Sequence, residues 1–183
     1  MINLALLVLR ATTGSLLVGH GAQKLFGAFG GPGPEGTART FESMGLKPGG
    51  LWARLGGAAE LGGGALMALG LLGPLGPLAV VSAMTMATLK VHRGKPIWAT
   101  SGGAELPVTN IAIALAVALA GPGRYSLDRM LGIRVGGVPV TAAAAGAGAL
   151  LALGLNPPAA LQDLEAAGDG MPRTTAASAA GVK

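Results

Sequence analysis

Long apolar runs, the first two interrupted by charged residues, constrain this chain more than any other feature. Ile2 to Gly21 carries one charge, Arg10, in a stretch matching the roughly 20 residues that a helix needs to cross a bilayer. Similar runs follow, divided by Gly- and Pro-rich breaks. Charged residues make up 11% of the 183 residues, whereas soluble domains carry about 25%. Hydrophobic residues reach 51% and mean hydropathy is +0.59, which excludes both an ordinary soluble domain and a disordered chain. The expectation is an all-α membrane protein: a four-helix transmembrane bundle with a fifth transmembrane helix near the C-terminus.

The spans follow from the breaks. Nothing charged precedes the first run and Arg10 lies within it, so it reads as an uncleaved first helix, not a secretory signal. Residues 27–50 are rich in Gly and Pro and read as a loop, with a short helix over Thr37 to Met44. Leu51 to Leu72 is the second span. Gly73-Pro74-Leu75-Gly76-Pro77 is a turn, and the third span runs from Leu78 to Leu89 or Val91. Leu106 to Ala120 is the fourth, stopped by Gly121-Pro122-Gly123. Tyr125 to Arg134 suits a short interfacial helix. The Ala/Gly-rich core from Val138 to Leu155 makes the fifth span, and Asp163 to Lys183 reads as a disordered tail. The units expected are therefore a membrane domain over 1–131, an added transmembrane segment over 132–162 and a tail over 163–183.

A net charge of +5 and a pI near 10.3 do not indicate nucleic acid. The basic residues sit between apolar runs, and no basic stripe interleaved with aromatics is present. Membrane lipid is the implied surrounding, and the charges read as topology signals. With the N-terminus outside, Arg39, Lys47, Lys90, Arg93, Lys95 and the C-terminal tail face the cytoplasm, while Arg124, Arg129 and Arg134 oppose the rule. The expected location is a bacterial plasma membrane. The chain has no Cys, so disulfides, thiol relays, iron–sulfur clusters, covalent haem and Cys-zinc sites are excluded.

Charges inside a bilayer cost at least a few kcal/mol each and therefore face a bundle interior or a polar cavity. Arg10 and Lys24 share a face of the first helix about 21 Å apart, with His20 one turn before Lys24 and Gly14 and Gly21 on the same stripe. On the second helix Gly56, Glu60 and Gly64 recur at four-residue steps, flanked by Gly57 and Gly63, the pattern of a close helix contact. Either Arg10 or Lys24 is a natural partner for Glu60, and such a pair serves either helix register or function. Ser82, Thr85, Thr88 and His92 stripe the third helix, and Glu105 and Asn110 begin the fourth. Two His without acidic neighbours at ligand spacing give no metal motif. His92 in a basic loop has a plain reading as a solvated side chain, and Lys24 as one snorkelling to the headgroups.

Gly19-His20-Gly21-Ala22-Gln23-Lys24-Leu25-Phe26-Gly27, with Arg10 upstream, resembles the DoxX family. So do Glu60 in a Gly-rich second helix, His92 after the third, Gly102-Gly103-Ala104-Glu105 opening the fourth, and Gly121-Pro122-Gly123-Arg124-Tyr125-Ser126-Leu127-Asp128 after it. The resemblance covers about residues 4–131, and the segment after Leu131 departs from it. It implies a small four-helix membrane protein similar to the small subunit of thiosulfate:quinone oxidoreductase. It implies a polar constellation of Arg10, Lys24, Glu60, His92 and Glu105, to which His20 is added as a neighbour of Lys24. In this reading Arg10, His20, Lys24 and Glu105 bind an anionic sulfur compound or a quinone oxygen, and Glu60 and His92 move the proton that quinone reduction requires.

Three functions follow in order: a subunit of a membrane oxidoreductase acting at a quinone or sulfur site, a non-catalytic accessory subunit of a respiratory or redox-stress complex, and a proton-coupled transporter. Quinone is the expected cofactor, with no haem, iron–sulfur cluster or metal. The expected partner is another membrane protein or a second copy of the chain.

Overall fold

The computed structural model describes residues 1–135, which are helical and contain no strand. The segments expected as a fifth span and a tail lie outside the described residues. Six helices form: α1 (Ile2–Phe26), α2 (Gly33–Ser43), α3 (Gly49–Leu69), α4 (Leu75–Met86), α5 (Glu105–Ala120) and α6 (Leu127–Leu131). A π-helical turn, Ala87–Val91, continues α4. Three helix ends follow the glycine rule: Gly27, Gly70 and Gly132 close α1, α3 and α6 at φ of 69°, 62° and 69°.

The long helices close into a ring. α1 packs on α3, α3 on α4, α4 on α5, and α5 returns to α1, while α2 covers α1 and α3. Leu6, Leu17, Met67, Val80, Met84, Ala114 and Val117 form the core where the four meet. The apolar outer side chains Leu4, Val8, Leu16, Leu115 and Leu119 remain exposed, an apolar exterior around an apolar core that suits lipid.

Glycine sets how closely the helices approach. A Cβ on Gly14 would lie 2.5 Å from Gly64 O, and one on Gly21 would lie 2.5 Å from Leu61 N and 2.7 Å from Gly57 O. The α1 and α3 backbones therefore touch, as small residues permit. Gly63 meets α4 in the same way, at 2.8 Å from Ala79 Cβ, so α3 has glycine on two faces.

Several expected boundaries shift. α2 starts at Gly33 and not Thr37, because Pro34 suits a first helical turn. α4 starts at Leu75, inside the expected turn. The interfacial helix shrinks to Leu127–Leu131, capped by Ser126 and stopped by Gly132. Among the described helices only α1 is both long and apolar enough to cross a membrane. α3 is diluted by glycine, Arg54 and Glu60. The apolar helices Leu75–Val91 and Glu105–Ala120 are shorter, about 24–26 Å against a hydrocarbon core of about 30 Å.

Candidate functional site

The helix ring leaves a cavity of about 460 Å³ at the end where α1 and α4 finish and α3 and α5 begin. Its walls are largely apolar: Leu17, Phe41, Met44, Trp52, Met84 and Leu106 line it from five helices. α2 closes one side. Phe41 lies against Gly56, where a Cβ would sit 3.3 Å from Cε2, and Glu42 accepts the Gly49 N–H at 3.1 Å. Thr37, buried, bonds to Gly33 O at 2.7 Å and approaches Lys24 O at 3.5 Å, tying α2 to the end of α1.

Into this apolar lining project Lys24 and Glu60, joined as an ion pair in which Nζ contacts both carboxylate oxygens. The close α1–α3 approach explains the pairing. Side chains on a helix lean toward its N-terminus, so on antiparallel neighbours Lys24 and Glu60 lean toward each other. The Glu60 side chain is 6% exposed and that of Lys24 26%, so the pair has a sealed end and an open end. His20 lines the same cavity one helical turn from Lys24.

His92 reaches the cavity from the far wall. The π turn, closed by His92 N–H to Ala87 O at 3.2 Å, precedes it, and Ala87, Lys90 and Val91 also line the space. Such wide turns recur at functional sites. His92 Nδ1 is 2.7 Å from Gly102 O. A carbonyl only accepts, so Nδ1 carries a hydrogen and Nε2 holds the lone pair in the neutral ring. His92 is thus an oriented imidazole at a partly exposed position, and Lys24 pairs with Glu60.

Two expected site residues lie elsewhere. Arg10 is 1% exposed and does not line the cavity. Its guanidinium donates to Ala68 O and Tyr125 O, joining the end of α3 to the segment after α5. The α1–α3 register that sets Gly14 against Gly64 puts Arg10 beside Ala68, beyond reach of Glu60 as a partner. Glu105 does not line the cavity either, since its Oε2 accepts the Ala99 N–H at 2.8 Å and braces the loop before α5. Both instead meet backbone groups left open by turns and helix ends.

Asp128, in the sequence only the last residue of the Gly121–Asp128 motif, is a buried clamp that no local pattern marks. It is 5% exposed and accepts the Leu72 and Gly73 N–H groups at 2.8 and 2.6 Å. These bonds hold a turn in which Leu72 adopts φ +59°, a conformation costly for a residue with a Cβ. Among the described residues no group of three or more His, Asp or Glu could hold a metal ion.

The model of the DoxX family matches residues 5–93, the stretch that holds Arg10, His20, Lys24, Glu60 and His92. Through this segment the chain belongs to the DoxX family. No curated protein and no solved structure matches it. The DoxX segment supplies α1 to α4 and with them the ion pair and both histidines, whereas α5, Glu105 and the Asp128 clamp lie beyond the matched residues. Membership makes the chain a small helical membrane protein, in keeping with α1.

Proposed function

We propose that this protein is a subunit of a membrane oxidoreductase and that its cavity receives the headgroup of a quinone. The observation that carries this reading is the Lys24–Glu60 pair in the wall of a largely apolar cavity of about 460 Å³. Small-molecule sites have this character: a few hundred cubic ångströms, mostly apolar, with a few polar groups that fix orientation. A small sulfur anion fits less well, because the apolar walls would strip its hydration and return little in exchange. Phe41 and Trp52 offer flat faces to a ring, and Met44, Met84 and Leu106 accommodate an alkyl tail.

A bound quinone would supply the two-electron, two-proton chemistry, with the electrons delivered by a partner protein, because the chain has no Cys for a thiol or cluster relay of its own. Lys24 Nζ divides its hydrogens between Glu60 and the carbonyl oxygen of the ring, stabilising the negative charge that develops there. Glu60, released in part from Lys24, takes up a proton and gives it to that oxygen. His92 Nε2, with its lone pair free, accepts protons from the aqueous side and passes them inward. His20 adds a polar group beside Lys24.

The four ring helices α1, α3, α4 and α5 are assigned as membrane spans, with their shorter members at a locally thinned bilayer. Lys24, Arg39, Lys47, Arg54, Lys90, Arg93 and Lys95 belong to the cavity end, and Arg124, Arg129 and Arg134 to the other. The positive-inside rule then puts the cavity mouth at the cytoplasmic face and the N-terminus outside, in a bacterial plasma membrane.

The test uses the full chain in lipid nanodiscs. Of its two Trp residues, Trp98 is replaced in Trp98→Phe, leaving Trp52 in the cavity wall as the sole reporter. Titration with a short-chain ubiquinone should quench Trp52 saturably, and Glu60→Gln or Lys24→Met should weaken binding at least tenfold. Quenching that is linear with quinone concentration in the parent protein would overturn the reading and favour the accessory-subunit role. Competition by thiosulfate at low concentration would instead identify the sulfur anion as ligand.

A further inference from the structure

The quinone reading accounts for the polar groups on the α1–α3 wall and leaves two on the opposite wall without a role. Ser82 on α4 and Asn110 on α5 both line the cavity. The other hydroxyls of this stretch bond back to their own helix: Thr85 Oγ1 to Val81 O at 2.7 Å and Thr88 Oγ1 to Met84 O at 2.8 Å. Ser82 Oγ makes no such bond among the described residues. Its side chain is nevertheless not sealed, for the one buried side-chain polar atom without a partner among the described residues is Arg10 Nε. Asn110 Nδ2 has only Met84 Sδ, at 3.8 Å, and a thioether is among the weakest acceptors available to an amide.

Near a core of Val80, Met84 and Ala114, an uncommitted hydroxyl and amide are unfavourable unless something polar meets them. The cavity thus carries a charged donor on its α1–α3 wall and neutral donors on its α4–α5 wall, in a lining that is otherwise largely apolar. We infer that Ser82 and Asn110 form a second polar subsite that donates hydrogen bonds to the far oxygen of a ligand bearing one oxygen at each end of a flat apolar ring, as a 1,4-quinone does. This rests on the quinone reading and adds the residues that would select a two-ended ring over a ring with a single oxygen. The first carbonyl lies against Lys24, where the charged donor makes the stronger bond. The second meets the Asn110 amide, with Ser82 beside it.

Two probes are compared in the Trp98→Phe protein: a decyl-1,4-quinone and an alkyl aryl ketone of matched length carrying one carbonyl. The ketone occupies the Lys24 end and leaves the second subsite unused. Asn110→Leu should weaken the quinone about tenfold and Ser82→Ala about threefold, each changing ketone binding less than twofold. Ser82→Ala removes one oxygen and keeps the helix, so it remains informative if Asn110→Leu folds poorly. Equal losses for both probes, or no loss for either, would overturn the subsite while leaving quinone binding intact. A parent protein that binds the ketone and not the quinone removes the subsite and the quinone reading together.

Discussion

Glu60 is accommodated within an apolar bundle by Lys24, which contacts both of its oxygens. Removing one member of such a pair leaves an uncompensated charge, whereas removing both leaves an apolar wall. Lys24→Met should therefore destabilise the protein by about 2–3 kcal/mol, at the lower end because Lys24 is partly exposed. The double variant Lys24→Met/Glu60→Leu should recover most of that loss while still failing to bind quinone. Thermal unfolding in detergent, followed by circular dichroism, reads the first half, and Trp52 quenching reads the second. A double variant no more stable than Lys24→Met would show that the pair has no such coupling. His92 behaves differently. Its ring is held by one bond to Gly102 O at the mouth, so His92→Gln should leave binding and stability within about 1 kcal/mol and slow proton-coupled turnover in the assembled complex.

At the scale of the element, the α1–α3 contact positions the site. Gly14 faces Gly64 and Gly21 faces Gly57, and a Cβ on Gly64 would lie 2.7 Å from Gly14 O and 2.9 Å from Val18 N. Those neighbours are backbone and cannot swing aside. Gly64→Ala should force the helices apart and cost about 1–3 kcal/mol. The same separation should loosen Lys24 from Glu60, so that quinone affinity falls together with stability. Gly62 is the control: nothing lies within 4 Å of its Cβ position, and Gly62→Ala should be neutral or slightly stabilising through helix propensity. Both variants are read by thermal unfolding in detergent, and a neutral Gly64→Ala would remove the argument that backbone contact sets this seam.

At the scale of the molecule, two charged side chains tie the described segments together at the end opposite the cavity. Arg10 from α1 and Asp128 from α6 each bind backbone of another segment: Arg10 the carbonyls of Ala68 and Tyr125, Asp128 the amides of Leu72 and Gly73. Charged side chains here satisfy chain ends that would otherwise be buried without partners. Arg10→Leu should cost about 2–4 kcal/mol and Asp128→Asn about 1–2 kcal/mol, since an amide NH2, a donor, replaces one of the two accepting oxygens. Neither variant that still folds should change quinone affinity by more than about twofold, because both lie outside the cavity lining. Loss of binding in a well-folded Arg10→Leu protein, by thermal unfolding and quenching side by side, would return Arg10 to the site.

Helix type, the Gly and Pro breaks, the close-packing glycines and the membrane class are legible in the sequence because each depends on residues within a few turns of one another. The DoxX membership belongs with them, resting on ordered local motifs such as Gly19 to Gly27. Which cation meets Glu60 is a different kind of fact. Arg10 and Lys24 share one face of α1, and local pattern treats them alike. The axial offset of α3 along α1 distinguishes them, and that offset comes from contacts between glycines far apart in the chain, Gly14 with Gly64 and Gly21 with Gly57. The same holds for Glu105 and Asp128, whose carboxylates are claimed by turns that exist only once the helices are assembled. The cavity itself arises where five helices fail to fill a volume, so Ser82 and Asn110 stand out as polar groups without partners only when both walls are in place.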